Sequence, residues 1–245
     1  MKIAVLSDIH GNGIALSYAI KDFKNLGINK IIILGDVVMK GPMPSQVMEL
    51  LNDKSLEILA WIKGNTDMWF EEISENWMNS SVKERQLYLY YKYAEDNLKK
   101  EQILFIKNLP LEYSLLLNGF KILCVHGTPK SIVEAIDDSV SEDEIRKAIN
   151  GVNEQVILCG HSHTCFIGEV NNKKIFNVGS IGNSLDGDNR ISYGILDISK
   201  KEIKFANRRI EYPINEIIDI SIKNKFPLLD EYKSVILTAC MNLKQ

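Results

Sequence analysis

The chain contains four histidines in its 245 residues, and each stands at the end of an apolar run. His10 closes Ile3-Ala4-Val5-Leu6-Ser7-Asp8-Ile9, His126 closes Ile122-Leu123-Cys124-Val125, and His161 and His163 follow Val156-Ile157-Leu158-Cys159-Gly160. Two more apolar runs end in the same kind of group. Ile31 to Leu34 leads through Gly35 into Asp36, and Ile58 to Ile62 closes on Gly64-Asn65-Thr66-Asp67. Imidazole, carboxylate and amide oxygens are all ligands for first-row divalent metals. Asp8, His10, Asp36, Asn65, His126, His161 and His163 are seven donors, too many for one tetrahedral zinc. They suit two five- or six-coordinate ions held roughly 3.5–4 Å apart. Asp36 is the natural bridge, since a carboxylate can span two cations and an imidazole cannot. Water between such ions has a pKa lowered to about 7 in the best zinc example. A bridging hydroxide, nucleophilic at neutral pH, is therefore the chemistry to expect.

A site of this kind needs strands that deliver their ends to one rim, and the chain order supplies them. Strand 2–7 is followed by a helix carrying Ile14, Leu16, Ala19, Ile20 and Phe23 on one stripe, with Gly27 as its C-cap. Strand 31–34, a helix with Ser45 as N-cap, and strand 58–62 complete a βαβ series with a parallel sheet. Residues 68–109 break the rhythm and read as a helical cap or insert, rich in tyrosine and tryptophan, with Leu87, Tyr91, Ala94 and Leu98 on one face. Two readings are open for its aromatics: packing onto the body, or a lid over the site or a surface for a base or a second subunit. A hairpin over 111–125 turns at Asn118-Gly119, and Ser141 with Glu144 forms a capping box. Strand 156–159 precedes antiparallel strands near 165–170, 174–178, 192–198 and 202–211, with Asn171-Asn172 as a turn. Helices near 213–223 and 228–241, the latter carrying Cys240, form a C-terminal extension over 213–245.

Composition bounds the remaining choices. A chain of this length is most economically one domain with insertions. A hydrophobic fraction of 45%, a charged fraction of 25% and a net charge of −3 give no argument for nucleic acid or a basic membrane face. No apolar stretch approaches the ~18 residues of a spanning helix, and no basic leader opens the chain, so a cytoplasmic setting is expected. Four cysteines without CxxC spacing fit reduced thiols there; Cys124 and Cys159 are read as core residues, a metal role being the alternative.

The ordered set Asp8-x-His10, Gly35-Asp36, Gly64-Asn65, His126-Gly127 and Gly160-His161-x-His163 resembles the calcineurin-like metallophosphoesterase superfamily. The resemblance runs from Lys2 to about Asp197 and is strongest to small bacterial phosphodiesterase-type members, which Asn177-x-Gly179-Ser180 also matches. It implies a four-layer α/β/β/α sandwich of two mixed sheets flanked by helices. It also implies one metal on Asp8, His10, Asp36 and His163, and a second on Asp36, Asn65, His126 and His161. Manganese, iron, nickel or zinc are the usual occupants, and small phosphodiesters, nucleotides or phosphomonoesters the implied substrates. The rival is a catalytically silent metal- or nucleotide-binding regulator; such relatives lose ligands, and here none is lost.

One departure stands out. Much of the superfamily has a histidine after Gly-Asn that assists the leaving group, and this chain has Thr66. Either the leaving group departs unaided, or Asp67, metal-bound water or the substrate supplies the proton. Asp67 has two further readings, as orienter of a ligating imidazole or as N-cap of the insert helix. Lys40 stands where phosphoprotein phosphatases carry a phosphate-binding arginine, with Met39 replacing an acid; it is either that contact or a solvated lysine. Asn12 is the other candidate for reaching phosphate.

Overall fold

The structure is a computed structural model that describes residues 1–241, so the expected extension over 213–245 is described to 241 and its last four residues lie outside. The first half alternates strand and helix: β1 (Lys2–Leu6), α1 (Gly13–Asn25), β2 (Lys30–Ile33), α2 (Pro44–Leu51) and β3 (Glu57–Trp61). The insert then holds α3 (Trp69–Glu72), a 3₁₀ turn (Glu75–Asn79), α4 (Val82–Asp96) and α5 (Lys100–Lys107). After it come β4 (Glu112–Leu117), β5 (Phe120–Val125), α6 (Glu142–Ala148), β6 (Val156–Cys159), β7 (Cys165–Val170), β8 (Lys173–Val178), β9 (Ile191–Ile198) and β10 (Ile203–Ile210). Helices α7 (Ile214–Lys223) and α8 (Leu229–Thr238) close the described chain.

The strands form two mixed five-stranded sheets, ordered β10-β9-β1-β2-β3 and β4-β5-β6-β8-β7. β1, β2 and β3 are parallel, as the βαβ pattern predicts, while β9 joins β1 antiparallel and brings β10 with it. Alternation sets the layers, because successive side chains of a strand point to opposite faces. Ile3 and Val5 of β1, with Ile32 and Leu34, pack between the sheets, while Ala4, Leu6, Ile31 and Ile33 pack outward under α1 and α2. In the second sheet Ile122, Cys124, Val156 and Leu158 face inward, and Leu123, Val125, Ile157 and Cys159 face the layer of α6. Strands apolar on both faces are the signature of sheets covered on both sides. Phe176 of β8 and Phe205 of β10 stack across the gap, centroids 4.4 Å apart, and tie the sheets together. The result is a helix–sheet–sheet–helix sandwich.

The insert's aromatics pack onto the body. Leu87, Tyr88, Tyr91 and Leu98 lie against the outer core layer and Ala94 is buried within it. Tyr90 and Tyr93 meet Phe226 of the C-terminal extension at 5.7 and 4.9 Å. Two local expectations need correcting. Helix α2 begins at Pro44, whose fixed φ suits the first turn, with Met43 at the N-cap; Ser45 instead donates its hydroxyl to the Asn97 carbonyl of the insert. Cys240 lies beyond the end of α8 and is exposed. The capping box at Ser141 and the positive-φ turn at Asn118-Gly119 are present as expected. Among the described residues no helix is long and apolar enough to cross a membrane.

Lys63 fastens the insert at both ends. Its buried ammonium donates to Glu71 of α3 at 2.6 Å and to the Lys107 carbonyl at the end of α5 at 2.8 Å. Removing the carboxylate leaves a buried ammonium with one carbonyl for a partner. Glu71→Ala is expected to lower unfolding stability by about 1–3 kcal/mol, read as a shift in urea midpoint. Glu72→Ala, one exposed residue along, should stay within about 0.5 kcal/mol. Equal midpoints for the two variants would show that the clamp contributes nothing.

Candidate metal centre

The rim of the sandwich gathers all seven expected donors. Asp8 and His10 follow β1, Asp36 follows β2, Asn65 follows β3, His126 follows β5, and His161 and His163 follow β6. Two overlapping sets, Asp8 with His10 and His163, and Asp8 with Asp36 and His126, place their ligand atoms within 4.8 Å of one another. The Asp36 carboxylate faces both ways: Oδ2 lies 3.6 Å from His10 Nε2 and Oδ1 lies 3.6 Å from His126 Nε2. On the far side Asn65 Oδ1 meets His126 Nε2 at 3.0 Å and His161 Nδ1 at 2.9 Å.

Each imidazole is aimed by a backbone carbonyl. His10 Nδ1 meets the Met39 oxygen at 3.1 Å, His126 Nδ1 the Leu34 oxygen at 2.7 Å, and His161 Nε2 the Val133 oxygen at 3.0 Å; His163 Nδ1 meets that of Asn183. A carbonyl only accepts, so the nitrogen it meets carries the proton and the other nitrogen presents a lone pair to the cluster. The backbone is bent to the same purpose. Asp8, His10, Asp36, His161 and His163 all have φ between 46° and 70°. This left-handed region costs a residue with a side chain roughly 1–3 kcal/mol, and such strain collects at working sites.

The donor set fits divalent cations. Asp8 Oδ1 is buried without a hydrogen-bond partner, 3.2 Å from His163 Nε2 and 3.6 Å from His10 Nε2. An unmet buried carboxylate oxygen is costly unless a cation or donor meets it. The other oxygen of Asp8 accepts from Ser7 Oγ at 2.6 Å and from the His161 amide at 3.0 Å, which leaves Oδ1 for a ligand. His10 Nε2 and His163 Nε2 stand 3.1 Å apart, a separation that suits two lone pairs only with a cation or one shared proton between them. Charge follows the same pattern. Burial would raise the Asp8 and Asp36 carboxyls, yet the surrounding imidazoles hold both below the usual carboxylate range. Burial lowers His10 and His161, keeping them neutral, whereas the two carboxylates outweigh burial and raise His126.

The three other candidates have different surroundings. Asp67 touches no imidazole, and α3 carries no side-chain cap. Its carboxylate instead accepts from the amides of Asp36 at 2.7 Å, Gly64 at 2.9 Å and Val37 at 3.2 Å, so it holds the backbone that presents Asp36. Burial and the charge of Asp36 push its carboxyl up to about 7, against those three donors. Asn12 is fully buried and committed: it caps α1 through the Ala15 amide at 3.0 Å, and its own amide donates to the Gly182 carbonyl and to Tyr212 Oη. It has no group left for phosphate. Lys40 is half-buried with its ammonium 5.3 Å from the centre of the Trp69 ring, and among the described residues it has no ion-pair partner. Burial lowers it, while Asp36 and Asp8 act to raise it, so its charge is felt by the cluster.

The Asn177-x-Gly179-Ser180 stretch, noticed in the sequence without a role, supplies supports. Asn177 donates to the Gly160 carbonyl at 2.8 Å and Ser180 Oγ to the Asp8 carbonyl at 2.7 Å, so the stretch braces two ligand loops. The carbonyls that aim the imidazoles have no side-chain signal and are invisible in sequence.

Comparison with known proteins agrees with this geometry. Residues 1–201 match the family model of the calcineurin-like phosphoesterase superfamily domain. The chain is 30% identical to an uncharacterized protein of Methanocaldococcus jannaschii, covering 92% of this chain and 93% of that one. It is also similar to the phosphodiesterase YfcE of Escherichia coli, at 29% identity over 36% of this chain and 55% of YfcE. The crystal structure of a hypothetical protein of Pyrococcus horikoshii superposes with a TM-score of 0.87 at 20% identity, covering 97% and 98% of the two chains.

Gly64 offers a direct test of the Asp36 placement, since a methyl group there would overlap Asp36 Oδ1 and its amide nitrogen. Gly64→Ala is expected to weaken manganese binding at least about tenfold by calorimetric titration. Unaltered affinity in a folded variant would show that Asp36 is free to shift.

Proposed function

Because the chain belongs to the calcineurin-like phosphoesterase superfamily, we propose that it hydrolyses small phosphodiesters on a pair of divalent ions. The observation that carries this reading is the convergence of seven donors around an unmet Asp8 oxygen, with each imidazole proton held on a backbone carbonyl. One ion would take Asp8, His10, Asp36 and His163, and the other Asp36, Asn65, His126 and His161. Bound there, the ions supply an acidified water as nucleophile and neutralise charge on the phosphoryl oxygens. Asp67 fixes Asp36 from behind and is a positioning residue; its carboxylate faces three amides and not the substrate side.

Substrate preference follows from what the site lacks. Every imidazole has both ring nitrogens in the cluster or on a carbonyl, so none is free to protonate a departing alkoxide. Esters with good leaving groups are then favoured. Lys40 adds a cation beside the ions and serves as the contact for an unreacted phosphoryl oxygen. Similarity to the phosphodiesterase YfcE supports a diester over a phosphoprotein. Free cysteines, two of them buried in core strands, suit work in the cytoplasm.

The manganese-loaded chain should turn over bis(p-nitrophenyl) phosphate and stop with chelator, and Asp36→Asn should lose at least about 100-fold in rate. A metal-loaded chain without turnover on any phosphoester would point to a silent regulatory member. Lys40→Gln should raise KM about tenfold with kcat within about twofold. A fall in kcat at constant KM would instead assign Lys40 to the transition state.

A further inference from the structure

A cavity of about 460 Å³ lies beside His126 of the cluster. His126 forms part of its wall, and Met68, Leu111, Val125, Pro129 and Ile132 supply most of the rest. The volume falls within the roughly 300–1,000 Å³ of small-molecule sites. Its walls are fastened to the cluster. Met68 follows Asp67, which grips the Asp36 amide, and Ile132 precedes Val133, whose carbonyl holds His161. Between them the 128–131 turn closes on itself through reciprocal amide–carbonyl bonds of 2.8 and 3.2 Å. A larger cavity of about 530 Å³ lies between the same loop and α6, but no cluster residue lines it.

The charges in the smaller cavity argue against an anion. Lys130 has its ammonium on the Lys147 carbonyl, turned toward α6, and Glu112 adds an exposed carboxylate. An anionic extension of the substrate would meet repulsion from Glu112 and no free cation. A neutral apolar group would bury itself against Leu111, which is 53% exposed and so has surface to cover.

We infer that this cavity is the subsite for a neutral, apolar ester group of the substrate, an aryl or alkyl half joined to the phosphoryl group at the ions. The inference rests on the phosphodiesterase reading and adds where the organic half lies and what its chemistry is. With Lys40 in the loop that follows Asp36, the substrate would run from that cation past the ions to the apolar pocket beside His126.

Binding separates this subsite from turnover. The manganese-loaded protein is titrated calorimetrically with methylphosphonate and phenylphosphonate, which cannot be hydrolysed. Phenylphosphonate should bind about tenfold more tightly, the worth of partly burying one ring. Leu111→Ser and Ile132→Ser should each bring the ratio toward one, with the methylphosphonate Kd unchanged. A ratio near one in the wild-type protein, or one that survives both substitutions, overturns the subsite while leaving the phosphoryl site in place. Failure of both phosphonates to bind overturns the phosphoesterase reading and the subsite with it.

Discussion

Four hydrogen bonds from imidazole to backbone carbonyl decide what this cluster of side chains can be. Without them each ring has two tautomers and two faces, and a proton on the wrong nitrogen turns a ligand into a donor aimed at a cation. The carbonyls of Leu34, Met39, Val133 and Asn183 remove that freedom. They come from three separate segments, so the centre exists only when the connection from β2 to α2, the 128–135 loop and the Asn183 loop are all in place. This makes the cluster a property of the whole sandwich.

The second requirement is space and backbone shape. Five donors sit in the left-handed region, which is tolerated because glycines let neighbouring segments close in around them. At Gly160 a side chain would run into Ser7 and Asp8, and at Gly41 into the His10 carbonyl. Asp67, Asn177 and Ser180 then bind backbone that would otherwise relax. These residues touch no ligand atom across the cluster, yet they set where the ligand atoms are.

The insert is coupled to this arrangement and is more than an appendage on it. Lys63 joins both of its ends to the loop that carries Asn65, Trp69 lies under Lys40, and Tyr93 reaches the Pro42 carbonyl in the loop that follows Lys40. Asn224 of the C-terminal extension donates to the same carbonyl. Two accessory segments thus converge on the loop that carries Lys40, so changes to either can shift that loop without touching a ligand.

The chain by itself determined the βαβ series and the identity of the donors, whose order carries the resemblance that implies the sandwich. Period-2 burial on both strand faces is written into runs such as Ile31 to Leu34, and a polar group with ligand chemistry at the end of each run needs no tertiary information to be noticed. It also determined the hairpin at Asn118-Gly119 and the capping box at Ser141, because both are decided by contacts within a few residues. Only the tertiary structure decided the uses of Asn12, Asp67 and Lys40. Asn12 is spent on a helix cap and Asp67 on three amides, two of them from the loop after β2 and one from its own, while Lys40 lies over a tryptophan of the insert. Side-chain type is local, but the partner that claims a polar atom is set by which distant backbone arrives beside it.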